Sequence, residues 1–294
     1  MKIIVRIKGG LGNQLFCYAA ARRLAIVNAA ELVVDSISGF SYDYAYKRRY
    51  ELDSFNISAK KATANQRLEP FSRIRRFLLR FYSYLLPFKS RIYIQQEGVD
   101  FDRRLVDLKP KQDTYLDGYW QGEDYFKDIE QIIRSDLIIK PPTDSLNIEM
   151  ALQIKAVESI AVHVRYFDAV PDGSQNNISH EYYERAFEYM ERAFPSGHYF
   201  IFSDNPNDAV KKFKISNQNF TLVEHNISNG NALADLWLMS QCRNFIIANS
   251  TFSWWGAWLS THEEKIIIAP SIHAKGNQMA WGFRGLLPKA WIKL

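Results

Sequence analysis

The stretch Gly9-Gly10-Leu11-Gly12-Asn13-Gln14 joins two apolar runs near the start of the chain. The run before it, 3–7, alternates and is rich in β-branched residues, which predicts a buried strand; the run after it has apolar residues at helical spacing. Glycines at a strand-to-helix turn let the backbone pass close to a ligand, and the first N–H groups of the helix point into the turn. The pattern therefore predicts a site for a sugar nucleotide or another anion, although a tight turn without a ligand also fits it.

Composition and charge bound the classes of protein to which this chain can belong. Its 294 residues, 47% of them hydrophobic and 23% charged, predict a folded protein of two domains. No apolar run has the length of a membrane span, and the first strand follows Met1 directly, so we expect neither a span nor a signal peptide. Cys17 and Cys242 lie far apart in apolar surroundings, which predicts reduced thiols and a cytoplasmic protein. The net charge of +5 favours an anionic partner.

Strands and helices alternate along most of the chain, which is typical of parallel sheets with helices on both faces. The segment 140–144, Lys-Pro-Pro-Thr-Asp, interrupts the alternation, and we interpret it as a linker. We predict an α/β protein of two Rossmann-like domains that face a central cleft, with residues 1–150 in the first and 151–294 in the second. The predicted strands are 3–7, 31–34, 159–165, 199–203, 221–224, 244–248 and 265–269. The predicted helices are 14–28, 180–193, 206–213, 231–240 and 252–260.

The segment 47–113 shows no such alternation, and we predict irregular structure for most of it. Within it, residues 67–93 hold seven basic residues against one acidic residue, and apolar residues recur there at helical spacing. One interpretation is a surface helix that covers the first domain. The other is a patch that rests on anionic lipid, so that the protein would be peripheral at the inner face of the membrane.

Polar residues follow the predicted strands of the second half, at the edge where open α/β sheets bind ligands. His163 and Arg165 point to one face of their strand because they are two residues apart. Asp204 follows the next strand, and Asp235 lies in a later predicted helix. The sequence Asn249-Ser250-Thr251 ends another strand and begins a helix, where hydroxyl and amide groups suit phosphate oxygens. Each feature alone also fits a structural role, such as a helix N-cap, but four of them in one α/β unit favour a binding site.

Two other motifs point to different classes of protein. Asp100 and Asp102 form an Asp-x-Asp pair of the kind that binds a metal ion and a nucleotide, but the pair follows no βα series, and we discount it as a metal site. The Gly-x-Gly turn at 10–12, followed by Asp35, imitates a dinucleotide fingerprint in which Leu15 takes the place of the third glycine. A nicotinamide-dependent oxidoreductase is therefore one alternative function.

Taken together, five segments resemble glycosyltransferase family 11, the alpha-1,2-fucosyltransferases. They span most of the chain, and the first and the last are each typical of the family. The segments are Gly9-Gly10-Leu11-Gly12-Asn13-Gln14-Leu15-Phe16, Leu116-Asp117-Gly118-Tyr119-Trp120-Gln121, His163-Val164-Arg165 with Asp168, Phe202-Ser203-Asp204, and Asn249-Ser250-Thr251-Phe252-Ser253-Trp254-Trp255-Gly256-Ala257. The resemblance implies a GT-B-like fold, GDP-L-fucose as donor, a terminal galactose as acceptor, inversion at the anomeric carbon, and no metal ion or cofactor.

The resemblance also implies roles for individual residues. Arg165 and the groups at 250–251 would hold the diphosphate, His163 would contact the nucleotide, and a carboxylate would accept from guanine. The implied catalytic residues are Arg165, His163, Asp168 and Asn13. The implied donor site consists of Gly10, Gly12, Asn13, His163, Arg165, Asp204, Asp235, Asn249, Ser250, Thr251, Phe252 and Ser253. The implied acceptor contacts are Tyr119, Trp120 and Gln121.

One position departs from the family pattern, and one role stays open. The family reads His-x-Arg-Arg-x-Asp, whereas Tyr166 stands in place of the second arginine, so Arg165 would hold the diphosphate alone or with a basic residue from elsewhere. The base that takes the proton from the galactose hydroxyl is not identified by the sequence. The acidic residues near the matched motifs are Asp168, Asp172, Glu123 and Asp117.

The sequence thus favours an inverting alpha-1,2-fucosyltransferase that acts on the O-antigen or another surface oligosaccharide. A non-catalytic sugar-nucleotide-binding protein is the main alternative, because hydroxyl, amide and arginine ligands would serve it equally well. Nucleic acid is not an expected partner.

Overall fold

The computed structural model describes residues 1–167, 177–212, 219–227, 231–271 and 281–294. The chain divides into two compact units. Unit 1 comprises Met1–Ile138 and Phe283–Pro288, and unit 2 comprises Ile139–Gly282 and Lys289–Leu294.

The division between the units differs from the boundary expected after residue 150. It precedes the break at 140–144, whereas a boundary after 150 would cut the helix Ser145–Ala156, which lies wholly in unit 2. The chain also returns to unit 1 over Phe283–Pro288. That return depends on tertiary packing, and no composition shift in the sequence indicates it.

Unit 1 is built on a sheet in which all paired strands are parallel. The strands that the structure describes are β1 (Lys2–Arg6), β2 (Glu31–Asp35), β3 (Lys60–Lys61), β4 (Tyr93–Gln95) and β5 (Thr114–Asp117). Their order is β3-β2-β1-β5-β4, so β1 and β5 are the neighbours at which the strand order reverses. Open α/β sheets bind ligands at the carboxyl ends of such a pair.

Helix α1 is the central helix of unit 1 and packs against β1 and β2. It is apolar around most of its circumference and mostly buried, as expected for a helix in the core rather than at the surface. The described helices of this unit are α1 (Leu11–Val27), α2 (Ser72–Tyr84), α3 (Arg103–Val106) and α4 (Glu130–Asp136). Single 3₁₀ turns lie at Leu52–Ser54, Phe88–Ser90, Glu123–Tyr125 and Lys127–Ile129.

The prediction of irregular structure for 47–113 is wrong in part, because β3, α2, β4 and α3 lie inside this segment. β3 and β4 are too short to show alternation in the sequence, and they form by pairing with β2 and β5. Helix α2 occupies the basic amphipathic segment and packs on β4, with Leu79 against the core. Its other large apolar side chains stay exposed; with the flanking residues they include Phe71, Ile74, Phe77, Leu78, Phe81 and Leu85.

Unit 2 also contains a parallel sheet, with the order β11-β10-β9-β6-β7-β8. Its described strands are β6 (Ser159–Val164), β7 (His198–Ser203), β8 (Phe220–Val223), β9 (Asn244–Ile246), β10 (Ile267–Ala269) and β11 (Ile292–Lys293). The chain adds β7 and β8 on one side of β6, and β9, β10 and β11 on the other. This is the strand order of a Rossmann fold, and the predicted fold class is confirmed.

The helices of unit 2 begin at polar caps. The described helices are α5 (Ser145–Ala156), α6 (His180–Ala193), α7 (Pro206–Lys212), α8 (Ala232–Gln241) and α9 (Thr251–Leu259). The side chains of Asp144, Ser179, Asn231 and Ser250 accept from backbone N–H groups at the starts of α5, α6, α8 and α9. Such caps satisfy donors that the first turn of a helix leaves without partners.

Aromatic side chains form much of the unit 2 core. Tyr182, Tyr183 and Met190 of α6 pack against one face of the sheet. Trp254 and Trp255 of α9 are fully buried and contact each other, so these tryptophans of the last motif are core residues. None of the helices in the described ranges is both long and apolar enough to cross a membrane.

Candidate active site

The carboxyl edge of the unit 2 sheet holds several of the predicted donor residues. β6 and β9 are neighbours, and the strand order reverses between them. The segments that follow them, Arg165–Phe167 and Ile247–Ser250, therefore flank the position where sheets of this order bind nucleotides.

His163 is buried near the end of β6. Its ring lies 5.7 Å from the ring of Phe252, so the end of β6 and the start of α9 meet. Burial and, to a smaller extent, the charge of Arg165 lower the pKa of His163 to about 3, so the imidazole is neutral. Its Nδ1 is buried and has no hydrogen-bond partner among the described residues. Since buried polar atoms are rarely left without a partner, this nitrogen is suited to a bond with a bound ligand.

Tyr182 and Tyr183 of α6 fix the ends of three strands. The Tyr183 hydroxyl donates to the carbonyl oxygen of His163 at 2.9 Å. The Tyr182 hydroxyl donates to the carbonyls of Ile247 and Ile268 at 2.7 and 3.1 Å. Neither tyrosine is among the predicted site residues, although adjacent tyrosines on the apolar side of a helix signal hydroxyls that need buried partners.

Arg165, the first residue after β6, forms an ion pair with Asp204, the first residue after β7. The second carboxylate oxygen accepts from the backbone N–H of Tyr166 at 3.0 Å. The guanidinium lies 5.2 Å from the ring centre of Phe167. The side chain of Arg165 is 37% exposed, so the guanidinium is oriented by its partners and still open to an anion.

Tyr166 occupies the position at which the family pattern has a second arginine. Its side chain is partly buried against the unit 2 core. This position therefore contributes packing where the family pattern has a second cation.

Helix α9 begins where the chain leaves β9. The Ser250 side chain accepts from the N–H of Phe252 at 3.3 Å, and the buried Ser253 hydroxyl donates to the Ser250 carbonyl at 3.2 Å. Asn249 is buried, whereas Thr251 is half-buried at the first turn. The N–H groups of this turn, together with the helix dipole, favour negative charge. Ser250 and Thr251 thus lie at the start of α9, whereas Ser253 forms a bond within the helix.

Asp235 of α8 belongs to a network of polar side chains with Asn147 of α5 and Asn226, which follows β8. The Asn226 amide donates to Asp235 at 2.8 Å and exchanges two bonds, of 2.9 and 3.0 Å, with Asn147. Burial raises the pKa of Asp235 to about 6, and the bond from Asn226 partly offsets this. In the described part of the chain Asp235 bonds to Asn226 and Arg165 pairs with Asp204, so the two predicted donor residues do not contact each other.

In unit 1 the glycine turn has the backbone geometry that the sequence implies. Gly9 has a φ of +79°, a conformation that side chains disfavour. A Cβ at Gly9 would lie 3.0 Å from the Cβ of Asn13 and 3.2 Å from Tyr119. Gly10 is the N-cap of α1, and Gly12 is buried in its first turn.

Gln14 holds this turn against the loop that precedes the first 3₁₀ turn. Its buried amide donates to the carbonyls of Gly9 and Arg49, both at 2.9 Å, and accepts from the N–H of Glu51 at 3.0 Å. Gln14 lies in the glycine-rich motif but is not among the predicted site residues. Its burial could not be seen from the sequence, because the partners lie in a distant loop.

Two predicted residues of unit 1 contact each other directly. The Gln121 amide donates to the Asn13 side-chain oxygen at 2.7 Å, which joins a predicted catalytic residue to a predicted acceptor residue. Tyr119 is half-buried with the Lys8 ammonium 5.0 Å from its ring centre. Trp120 is only 1% exposed, so its indole packs in the core and is not available to a sugar.

Asp117, one of the acidic residues considered above as the catalytic base, lies in an ion-pair network at the end of β5. It accepts from Lys8 at 2.7 Å, from Arg6 at 3.2 Å and from the Tyr93 hydroxyl at 2.7 Å. Burial raises its pKa, but Lys8 and Arg6 outweigh burial and lower the value to about 2. A carboxylate of such low basicity is a poor acceptor for a hydroxyl proton.

The remaining predicted residues have structural partners or fall outside the described ranges. Asp102 caps α3, and Asp100 accepts from the backbone of Arg284 at 3.0 Å. Asp35 accepts from Ser38 and from the Tyr115 hydroxyl, so its carboxylate is already engaged within unit 1.

Among the described residues, no three His, Cys, Asp or Glu side chains are grouped closely enough to hold a metal ion. The residues Asp168 and Asp172 lie outside the described residues.

The sequence profile of Glycosyl transferase family 11 matches residues 2–291. The chain belongs to this family. An alpha-1,2-colitosyltransferase from Escherichia coli is 29% identical over 276 residues, which cover 92% of this chain and 91% of that protein. The O-antigen biosynthesis glycosyltransferase WbnK from Escherichia coli is 29% identical over 306 residues, with coverage of 98% and 99%.

The fold is similar to that of Arabidopsis thaliana FUT1, solved as a mutant in complex with GDP. The TM-score is 0.51 and the identity 14%, with 95% of this chain and 71% of that one covered. The protein is therefore a glycosyltransferase with two Rossmann-like domains of the GT-B type, as the sequence predicted.

Proposed function

We propose that this glycosyltransferase transfers L-fucose from GDP-L-fucose to the 2-hydroxyl of a terminal galactose, with inversion and without a metal ion. One observation carries the proposal. Arg165, a neutral His163 and the start of α9 all lie at the strand ends where the order of the unit 2 sheet reverses.

Arg165 is suited to stabilise the leaving diphosphate. Departure of GDP places negative charge on the β-phosphate, and a guanidinium stays charged while it offers several donors in one plane. Asp204 engages one of these donors, which leaves others for phosphate oxygens. The N–H groups at the start of α9 add fixed dipoles aimed at the same charge.

His163 and Asp235 are suited to hold the nucleotide. The neutral His163 ring has a buried Nδ1 without a partner in the described structure, and it can bond to ribose or base. Asp235 accepts one bond from Asn226 and is mostly ionised at neutral pH, so it can accept from the N–H groups of guanine. Asp204 is less suited to guanine, because its ion pair with Arg165 already engages it. The GDP bound to the FUT1 mutant of similar fold supports a guanosine donor.

The acceptor side of the proposal rests on Asn13, Gln121 and Tyr119 of unit 1. The Asn13–Gln121 pair offers amide groups that can exchange their mutual bond for bonds to sugar hydroxyls. The ring of Tyr119 offers an apolar face of the kind that packs against a sugar ring. Trp120 is left out of this set because it is buried.

Colitose is a second candidate for the transferred sugar, because one relative that covers nearly the whole chain is a colitosyltransferase. Colitose lacks the 3-hydroxyl that fucose carries. A site that binds this hydroxyl rejects a sugar without it, since its own polar groups would stay unpaired. Comparison of GDP-L-fucose with GDP-colitose therefore decides between the two.

The test has a binding stage and a transfer stage. Calorimetry with GDP, GDP-L-fucose, GDP-colitose, UDP and NAD, each with and without EDTA, should show guanosine ligands bound most tightly and EDTA without effect. Addition of β1,3- or β1,4-linked galactosides should then release GDP, and NMR should show an α1,2 linkage. Stronger binding of UDP, or activity that EDTA abolishes and manganese restores, would contradict the proposal. Binding of GDP-L-fucose without GDP release from any galactoside would favour a non-catalytic binding protein.

A further inference from the structure

We infer that a cavity lined by arginines in unit 1 binds the phosphate group of an organic diphosphate, in addition to the donor proposed for unit 2. The cavity has a volume of about 640 Å³, and all its lining residues belong to unit 1. A volume of this size is within the range of small-molecule sites, and it exceeds what a solvated inorganic ion requires.

The position of the cavity agrees with the topology of the unit 1 sheet. Arg6 is the last residue of β1 and Asp117 is the last residue of β5, and both line the cavity. β1 and β5 are the neighbours at which the strand order reverses. The cavity therefore lies at the kind of sheet edge where α/β proteins bind ligands.

The charges around the cavity are strongly unequal. Four guanidinium groups line it, from Arg6, Arg73, Arg76 and Arg80, against one carboxylate, that of Asp117. That carboxylate is already paired with Arg6 and Lys8. Within the described ranges, none of the three arginines from α2 forms an ion pair. The cavity therefore has an excess of positive charge that its own residues do not neutralise.

The three arginines from α2 are arranged by the helix itself. Their spacing of three and four residues puts the side chains on one face, which is the face that borders the cavity. Arg76 is buried and bonds to the Ser72 hydroxyl at 3.2 Å, while Arg80 donates to Gln95 at 3.2 Å. A buried guanidinium beside like charges is unfavourable unless an anion is near. A phosphate, which accepts several charge-assisted bonds at once, satisfies such a cluster.

Aromatic rings beside the arginines favour a ligand that is larger than a bare phosphate. Tyr42, Tyr44 and Phe77 line the same cavity, and each is exposed. The Arg73 guanidinium lies 5.9 Å from the Tyr42 ring, and that of Arg80 lies 5.5 Å from the Phe77 ring. Cations and apolar rings on one wall suit a diphosphate that carries an apolar or sugar group.

The test measures binding of geranyl diphosphate, inorganic pyrophosphate and phosphatidylglycerol vesicles, with phosphatidylcholine vesicles as the neutral reference. Each titration contains saturating GDP, so that the proposed donor site is occupied. The double variant Arg73→Gln with Arg80→Gln removes two exposed cavity cations and spares the buried Arg76. The control, Arg75→Gln with Arg103→Gln, removes the same charge from positions that do not line the cavity.

We expect geranyl diphosphate to bind the unchanged protein, and the cavity variant to weaken this binding at least ~10-fold, since it loses two charge-assisted contacts. The control should change it less than ~2-fold, and both variants should keep the GDP affinity. Equal binding of pyrophosphate with the same arginine dependence would identify a soluble diphosphate, whereas binding of anionic vesicles alone, with that dependence, would identify a lipid headgroup. Both results would support a phosphate site at the cavity and overturn its assignment to an organic diphosphate.

Three results would overturn the inference. The first is no binding of any phosphate probe, and the second is an equal loss in the control variant, which would show a nonspecific charge effect. The third is a parallel loss of GDP affinity in the cavity variant, which would make the cavity part of the donor site.

Vesicle binding that is independent of Arg73 and Arg80, without binding of either diphosphate, would instead identify the apolar surface of α2 as a membrane contact. A failure of GDP to bind at all would count against the proposed function, and the arginine dependence of diphosphate binding would still be measured.

Discussion

The carboxyl edges of the two sheets share a strand arrangement and differ in which elements supply the polar groups. In both units the first strand is central and the strand order reverses beside it. In unit 1 the strand-end residues Arg6 and Asp117 bond to each other, and the unpaired cations come from helix α2. In unit 2 the strand-end residues Arg165 and Asp204 also pair, but Arg165 stays 37% exposed and His163 keeps a buried Nδ1 without a partner among the described residues. Topology therefore predicts where a ligand binds, and the residues after each strand decide what chemistry it meets.

The two units also differ in how the chain leaves the central strand. In unit 1 it leaves β1 through Gly9 in a left-handed conformation, which allows the start of α1 to come close. In unit 2 it leaves β6 through residues with side chains, whose backbone N–H groups donate to Asp204 and Asn177. The turn after β1 therefore depends on the absence of a Cβ at Gly9, whereas the segment after β6 depends on side chains that accept hydrogen bonds from its backbone.

The strongest test of this difference is Arg165→Ala, which removes the strand-end cation of unit 2. We expect turnover, measured as acceptor-dependent GDP release, to fall at least ~10²-fold, the scale of losing a donor that stabilises charge in the transition state. The turnover of Arg165→Lys should lie between that of the unchanged protein and that of Arg165→Ala, because lysine keeps the positive charge but lacks the planar guanidinium group.

The matched control is Arg192→Ala on α6. This arginine is 79% exposed and pairs only with Glu188 one turn away in the described structure, so its loss should leave turnover within ~2-fold. Near-normal turnover in Arg165→Ala, with circular dichroism unchanged, would remove Arg165 from the mechanism. The strand-end cation of unit 2 would then have no more part in catalysis than the paired Arg6 of unit 1.

The sequence predicts the central elements of both units well, for a physical reason. Long β-branched runs and amphipathic helices carry their own periodicity, and the predicted strands and helices from 159 to 269 match the structure within two residues. β3, which is only Lys60–Lys61, carries no such signal and depends on pairing with β2.

The residue types of the candidate site can be predicted from the sequence, whereas most of their contacts cannot. The motif residues Arg165, Asp204 and Ser250 follow strands, and that much is readable from the sequence. The ion pair of Arg165 with Asp204, the bond from Tyr183 to His163 and the burial of Trp120 depend on elements that meet only in the folded chain. The arginines of α2 were visible as a basic segment, but their cavity needs Arg6 from β1.

A second test uses pH, because the buried groups of the two sheet edges titrate in different windows. His163 has a pKa of about 3 in the folded protein and about 6.5 when unfolded, so only the unfolded chain takes up the proton between these values. Its contribution to stability is therefore complete above pH 6.5 and falls as the pH drops, by up to ~1.4 kcal/mol per pH unit. Asp117, with a pKa of about 2, contributes above pH ~4 and loses its contribution only below that.

Urea unfolding of the unchanged protein and of His163→Gln at pH 7, 6 and 5 isolates the His163 contribution. Asp235, with a pKa raised to about 6, acts in the opposite direction, because the folded state holds its proton as the pH falls below 6. This contribution is common to both proteins and cancels in their difference. We expect the slope of the free energy of unfolding against pH to differ between the two proteins by the amount that corresponds to about one proton. Identical slopes would show that His163 ionises in the folded protein and is not the neutral group described for unit 2.

The smallest expected effect comes from Gly9→Ala, which tests the exit from β1. The φ of +79° and the close approach of Asn13 should lower the free energy of unfolding by about 1–2 kcal/mol in urea denaturation. The matched control is Gly98→Ala, where a Cβ meets no atom within 4 Å, so stability should change by less than ~0.5 kcal/mol. If both substitutions have the same effect, the left-handed turn is not what shapes the edge of the unit 1 sheet. If only Gly9→Ala destabilises, the exit from β1 depends on the missing side chain, whereas the exit from β6 depends on Asp204 and Asn177.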